Sequence, residues 1–210
     1  EGGLSALDSD LYELLKSLRK DVANKYKLPP YVIFQDISLT QMATYYPVTL
    51  DELQQIQGVG SGKANKFGKP FVELVKRYCE ENDICRTDMM RVISLPNKSI
   101  KKLKIIELID KRIPLNDIAV AQNCEFDELL DDIESIVSSG MKVNIDYYLN
   151  DEDVIEHEEL DEILDYFHES DTDDIDTAID TVDIYDDEDG LTAEEKARLV
   201  LIKFLSDEAN

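Results

Sequence analysis

The charges of this chain are sorted along its length, and that sorting limits what each part can become. Residues 1–80 hold 10 basic and 10 acidic side chains, residues 81–150 hold 9 and 13, and residues 151–210 hold 3 and 24. The net charge of -25 is therefore carried mostly by the final 60 residues. Overall acidity is no argument against a nucleic-acid partner here, because the first segment is neutral and can carry a local basic face. A length of 210 residues suits two small domains.

In the first segment the apolar residues recur at helical spacing. Asp10 and Glu13 have capping-box spacing and place a helix start near Asp10. Leu11, Leu14, Leu15, Leu18 and Val22 form its apolar stripe. Lys16, Arg19, Lys20 and Lys27 follow a second stripe, which by itself reads as a solvated face. Pro29 and Pro30 force extended backbone and hold Tyr31 outside a helix. Ser38 with Gln41, and Thr49 with Glu52, have capping-box spacing, and Pro47 stops the helix between them. A further helix is expected from about Lys63 to Tyr78, with Phe67, Phe71, Leu74 and Tyr78 facing inward.

The stretch "GVGSGKA", residues 58–64, has the look of a phosphate loop and fails its tests. Only three residues separate Gly58 from Gly62-Lys63, and Ala64 stands where a Walker A loop needs Ser or Thr. Lys63 occupies the third glycine position of a dinucleotide fingerprint, and no strand precedes the loop. What remains is helix, Gly-apolar-Gly turn, helix. Such a hairpin sets the N–H groups around Gly58 and Gly60 beside a helix N-terminus, where a nucleic-acid phosphate can sit; a tight turn without a ligand is the other reading.

"LYELLKSLRKDVANKYKLPPYVIFQD" and "TLDELQQIQGVGSGKANKFGKPF" resemble an HRDC domain, the helical module of helicases and RNase D, over roughly residues 6–80. The motif after the prolines closely resembles bacterial RecQ helicases. The resemblance implies an auxiliary module that binds single-stranded or structured DNA, in a parent ATP-dependent helicase of DNA repair and recombination. It also implies that Lys16, Arg19, Lys20 and Tyr31 belong to the DNA-binding face. Single strands are held by cations along the backbone and by aromatic faces that stack on bases. Lys16, Arg19, Lys20, Lys27, Lys63, Lys66 and Lys69 supply the cations, and Tyr31 supplies a face if it is exposed.

Residues 81–98 read as a linker closed near Pro96. Beyond it, Leu103, Ile106, Ile109 and Ile113, then Leu115, Ile118 and Ala119 after Pro114, then Phe126, Leu129, Leu130, Ile133 and Ile136 mark three helices. A tight link at Asn123-Cys124 makes the last two a helix-turn-helix. "RIPLNDIAVAQNCEFDELLDDIESIVSSGMKV" more loosely resembles the helix-turn-helix domain that follows HRDC in some RecQ-like helicases. From Cys124 to Gly140 its recognition helix holds Glu125, Asp127, Glu128, Asp131, Asp132 and Glu134 and no Lys or Arg. Phosphates would repel that face, so packing is its expected use. Lys98, Lys101, Lys102, Lys104 and Lys111 lie upstream and read as a solvated cluster that could still touch a backbone.

In residues 151–210 a helix is expected near 156–168, and Thr192 with Glu195 caps a final helix that buries Leu199, Ile202, Leu205 and Val200. The Asp-rich stretch 169–189 is expected to be mobile. "YDDEDGLTAEEK" lacks both essential EF-hand carboxylates, and "HEELD" lacks the second zincin histidine. The segment is expected to engage a protein partner or to compete with DNA for a basic surface; a solubilising acidic domain with no contact is the other reading.

The expected fold is all-α: an HRDC bundle with a helix-hairpin-helix-like turn over 1–80, a linker over 81–98, a helix-turn-helix-like domain over 99–150, and an acidic helical segment over 151–210. Opening on Glu1 rather than Met suggests a piece of a longer protein. The resemblance implies ATP and Mg²⁺ in an upstream motor of the same chain, with no cofactor and no catalytic or metal residue in these 210 residues. Cys79, Cys85 and Cys124 are odd in number and lack C-x-x-C spacing, which points to reduced thiols in the cytoplasm. No run is apolar enough to span a bilayer, and the start is not signal-like. Two other readings stand beside this one: a protein-interaction module whose HRDC fold has lost DNA binding, and the accessory region of an RNase D-like nuclease that binds RNA.

Overall fold

The structure, a computed structural model, describes residues 7–84, 98–151, 154–188 and 190–208. All regular elements among the described residues are helices, and none of these is long and apolar enough to cross a membrane. The chain divides into two compact units, Glu1–Leu95 with Ser138–Gly140, and Pro96–Val137 with Met141–Asn210. Most of the expected linker, residues 85–97, lies outside the described residues.

The first unit is built from α1 (Ser9–Tyr26), α2 (Pro30–Ile33), α3 (Asp36–Tyr45), α4 (Leu50–Leu53) and α5 (Ser61–Glu81). The cap of α1 is Asp8, not Asp10: its carboxylate accepts the Leu11 N–H at 3.0 Å. The same carboxylate accepts the phenols of Tyr46, at 3.1 Å, and Tyr78, at 2.9 Å, so one side chain ties together the start of α1, the end of α3 and α5. Burial works to raise the Asp8 pKa, but the Leu11 N–H and the two phenols outweigh it and hold the carboxyl below its usual value. Burial and the Asp8 charge push both tyrosines up to about 12.

Tyr31 sits inside α2 rather than outside a helix, because Pro30 takes the first helical position, where a missing N–H costs nothing. Ser38 and Gln41 do not cap α3, whose N-cap is Gln35. They reach instead to Gln57: Ser38 Oγ donates to its carbonyl at 2.7 Å, and Gln41 Oε1 accepts its N–H at 2.9 Å. Thr49 and Glu52 do form a capping pair, with Thr49 Oγ1 accepting the Glu52 N–H at 3.2 Å and Glu52 accepting the Val48 N–H at 2.7 Å. The core holds Leu11, Leu15, Phe34, Leu39, Leu53 and Phe71, with the Phe34 and Phe71 rings edge-to-face at 4.9 Å. Gly68 lets α4 lie against α5, since a Cβ there would stand 2.5 Å from Leu53 Cδ2.

The second unit begins with α6 (Lys98–Asp110), α7 (Leu115–Gln122) and α8 (Phe126–Ser138). Asn123, in the left-handed region at φ 53°, closes α7 and makes the tight turn into α8. Ile109 of the expected stripe is buried, but Leu103 is 64% exposed and Ile105 is buried in its place, so the buried face of α6 is only partly the one that the sequence suggests. There follow α9 (Asp146–Leu149), α10 (His157–Glu169), α11 (Ile175–Val182) and α12 (Ala193–Glu208). The helix α11 stands within the stretch expected to be mobile, capped by Asp174, which accepts the Thr177 N–H at 2.8 Å. Thr192 and Glu195 cap α12 reciprocally, at 2.8 and 3.2 Å. From Ala193 to Ser206 nearly every side chain of α12 is buried, including Lys196 and Arg198, as befits a helix enclosed by its neighbours.

Candidate nucleic-acid interface

The cations singled out in the sequence divide into two groups. Lys16, Lys20, Lys27, Lys66 and Lys69 are exposed. Lys16 lies 3.5 Å from Glu13, a solvent-exposed pair worth little. Arg19 belongs to the interior: it is 7% exposed, and its Nη1 donates to Phe34 O at 2.7 Å and meets the Asp36 carboxylate at 2.7 Å. Its position follows from helical spacing, since Leu11, Leu15, Arg19, Val22 and Ala23 make up the buried side of α1, while Leu14 is 45% exposed. The expectation that Arg19 faces DNA is corrected accordingly; its guanidinium fastens α1 to the chain leaving α2.

Tyr31 is 1% exposed and presents no ring to a base in this structure, which corrects its expected role as a stacking face. Lys63 is 5% exposed, so it too is no surface cation. Gly58 adopts φ +76° and makes the expected sharp turn, held from beneath by the contacts of Ser38 and Gln41 to Gln57. The amides beyond it are engaged: Val59 N–H donates to Ile56 O at 3.1 Å and Gly60 N–H to Ser139 O at 3.0 Å. A phosphate at Gly60 would have to displace that carbonyl, so the turn is a structural joint here rather than an open anion cradle.

Two residues outside the set expected from the sequence complete the surface. Lys25 lies with its Nζ 5.7 Å from the Tyr26 ring centroid, and Tyr26 is 41% exposed. The signal for them is "NKYK", an aromatic between lysines at a helix end. Lys27 ends the helix in the left-handed region at φ 56°, while Leu28 N–H returns to Ala23 O at 3.1 Å, a Schellman closure that leaves Tyr26 in the last turn.

In the second unit the recognition helix α8 is used for packing, as its charge suggests. Arg198 of α12 is encircled by carboxylates of α8: Nε meets Glu134 at 2.7 Å, Nη2 meets Asp131 at 2.5 Å, and Nη1 lies 3.7 Å from Asp127. Burial opposes the charge on Arg198, but Glu134 and Asp131 outweigh it and hold the guanidinium more firmly protonated; at Glu134 burial prevails and lifts the carboxyl. The upstream lysines are drawn in too, with Lys101 paired to Asp132 at 2.5 Å and Lys102 donating to Ser135 Oγ at 2.7 Å, both on α8. Lys104 and Lys111 both pair with Glu107 of their own region, at 3.1 and 2.5 Å.

Comparison with known proteins agrees with both units. Residues 8–75 match the HRDC domain family, and residues 99–149 match the RecQ-1-like helix-turn-helix domain family. The chain thus carries an HRDC domain followed by a RecQ-1-like helix-turn-helix domain. It is similar to the ATP-dependent DNA helicase RecQ of Haemophilus influenzae, 43% identical over 76 residues, which cover 36% of this chain and 12% of that protein. The RecQ helicase of Bacillus subtilis is 37% identical over 76 residues, covering 36% of this chain and 13% of its own length. The mouse bifunctional 3'-5' exonuclease/ATP-dependent helicase WRN is 31% identical over 118 residues, covering 54% of this chain and 8% of its own length. The chain therefore spans only a small part of the curated relatives that it matches.

Proposed function

We propose that this chain is an accessory region of a RecQ-like ATP-dependent DNA helicase, and that its HRDC domain adds auxiliary single-stranded DNA binding in repair or recombination. The observation that carries the reading is the set of exposed lysines on α1 and α5, Lys16, Lys20, Lys25, Lys27, Lys66 and Lys69, in a chain of net charge -25. Cations left at the surface of an otherwise acidic protein suit a polyanionic ligand. ATP and Mg²⁺ would serve a motor outside these residues. The helix-turn-helix serves as a scaffold: α8 spends Asp127, Asp131 and Glu134 on Arg198, which favours packing over groove reading. The similarity to DNA helicases favours this reading over an RNA-binding nuclease accessory region.

The test is fluorescence anisotropy of the 210-residue chain with a labelled oligothymidylate at several salt concentrations. If three to five phosphates are neutralised, the log–log salt slope is about -2 to -3.5, at roughly -0.7 per phosphate. Absence of binding at low salt would overturn the single-strand reading and leave a protein-interaction module.

A further inference from the structure

In a chain with 47 acidic residues, residues 22–35 and residues 53–72 contain none. The first stretch carries Lys25 and Lys27, and the second carries the exposed Lys66 and Lys69 besides the buried Lys63. The fold joins the two stretches in the core through Phe34 and Phe71 and, nearer the surface, where the rings of Tyr26 and Phe67 meet edge-to-face, 5.0 Å apart at 87°. Phe67 is 4% exposed and anchored in the core, whereas Tyr26 is 41% exposed. Each ring has a lysine over it: Lys25 Nζ is 5.7 Å from the Tyr26 centroid and Lys66 Nζ 5.2 Å from that of Phe67.

We infer that Tyr26 is the base-stacking residue of this domain, flanked by Lys25 and Lys66 as phosphate contacts, for a single strand passing between the end of α1 and the start of α5. The inference rests on the single-strand reading above and supplies the aromatic face that the buried Tyr31 does not. The physical case has three parts. A single strand presents a base face and a phosphate at each step, and a ring beside ammonium groups meets both. Tyr26 is already fixed by Phe67, so little rotamer freedom is lost when a base stacks on it. The ammonium over an exposed ring is weakly held there; a base arriving on Tyr26 displaces Lys25 toward a phosphate, so the two contacts form together. Bases in a duplex are already stacked on one another, so this site selects single strands and tolerates any sequence.

The test uses the 210-residue chain with two labelled strands of equal length, oligothymidylate and a fully abasic phosphodiester strand. Tyr26→Ala is expected to weaken oligothymidylate binding about tenfold, with an unchanged salt slope because the ring carries no charge. The abasic strand should bind Tyr26→Ala and the unaltered chain alike, which also shows that the variant is folded. Tyr26→Phe should retain the oligothymidylate affinity. Lys25→Ala and Lys66→Ala should each make the salt slope shallower by about 0.7 on either strand. Binding of the unaltered chain to oligothymidylate with equal affinity for Tyr26→Ala overturns the stacking role while leaving the single-strand reading intact. Failure of the unaltered chain to bind either strand overturns both. If Tyr26→Ala loses the abasic strand as well, the ring supports the fold and the stacking role falls.

Discussion

The exposed lysines of the first unit and the cations of α12 in the second are used in opposite ways. On α1 and α5, Lys16, Lys20, Lys25, Lys27, Lys66 and Lys69 stand at the surface. Residues 151–210 have three cations, Lys196, Arg198 and Lys203, all on α12. Each of these is held by carboxylates: Lys196 by Glu159 and Asp187, Arg198 by the acids of α8, and Lys203 by Asp146 and Asp207. Where acids outnumber bases eightfold, with 24 against 3, a cation is worth most as an internal staple that offsets repulsion among its neighbours. Where the two are equal, cations remain available to a ligand. The high acid content of the second unit is thus partly a structural matter, answered from within by α12.

The sharpest way to break this contrast is Arg198→Ala. It leaves the buried side of Glu134 without its cation, and losing one partner of a buried pair costs about 3–5 kcal/mol, reduced here because Asp131 stays in solvent. The check is a urea titration of the full chain, with tertiary signal from the second unit lost first.

Arg19→Ala should cost about 1–3 kcal/mol in the first unit, since the Phe34 carbonyl loses a buried donor. Its effect on the salt slope should be nil, unlike that of the adjacent exposed Lys20.

Asp8→Ala should cost about 1–2 kcal/mol from removal of the cap, and it also deprives the Tyr46 and Tyr78 phenols of their acceptor. Its pH signature has two edges. A carboxyl held below its usual value stabilises the fold above the unfolded value near 4, and that contribution is lost as pH falls through the folded value. Tyr46 and Tyr78 are held protonated up to about 12, so their contribution is complete below pH 10 and is lost as pH rises from 10 to 12. Thermal melts across pH should show both edges in the unaltered chain; Asp8→Ala should remove the acid edge and reduce the alkaline one, because burial also holds the phenols protonated.

The smallest effect on stability is expected from Lys20→Ala, within about 0.5 kcal/mol, because the side chain is exposed. Equilibrium denaturation checks it.

Much of this architecture is legible in the sequence where local chemistry decides it. The pairs Thr49–Glu52 and Thr192–Glu195 form as their spacing requires, and the buried residues Leu129, Leu130, Ile133 and Ile136 of α8 follow the helical period. The sequence misleads where tertiary contacts redirect a local signal. Ser38 and Gln41 have capping spacing, yet both side chains are claimed by Gln57, nineteen and sixteen residues away. The charge of Arg19 points to the surface, although its spacing from Leu15 and Val22 puts it on the buried side. The aspartates of 169–189 hide the helical spacing of Ile175, Ala178, Ile179 and Val182. Tyr26 is legible only in part: "NKYK" marks a ring between lysines but does not reveal its exposure, and the contact with Phe67 fixes where it stands.

The central claim is that the exposed lysines of the HRDC domain serve a ligand while the cations of α12 serve the fold. The most direct measurement is the salt slope of oligothymidylate binding for three folded variants of the full chain, Lys20→Ala, Lys66→Ala and Lys203→Ala. The account predicts slopes shallower by about 0.7 for the first two and unchanged for Lys203→Ala. Equal flattening by all three, or no change in any, would contradict it.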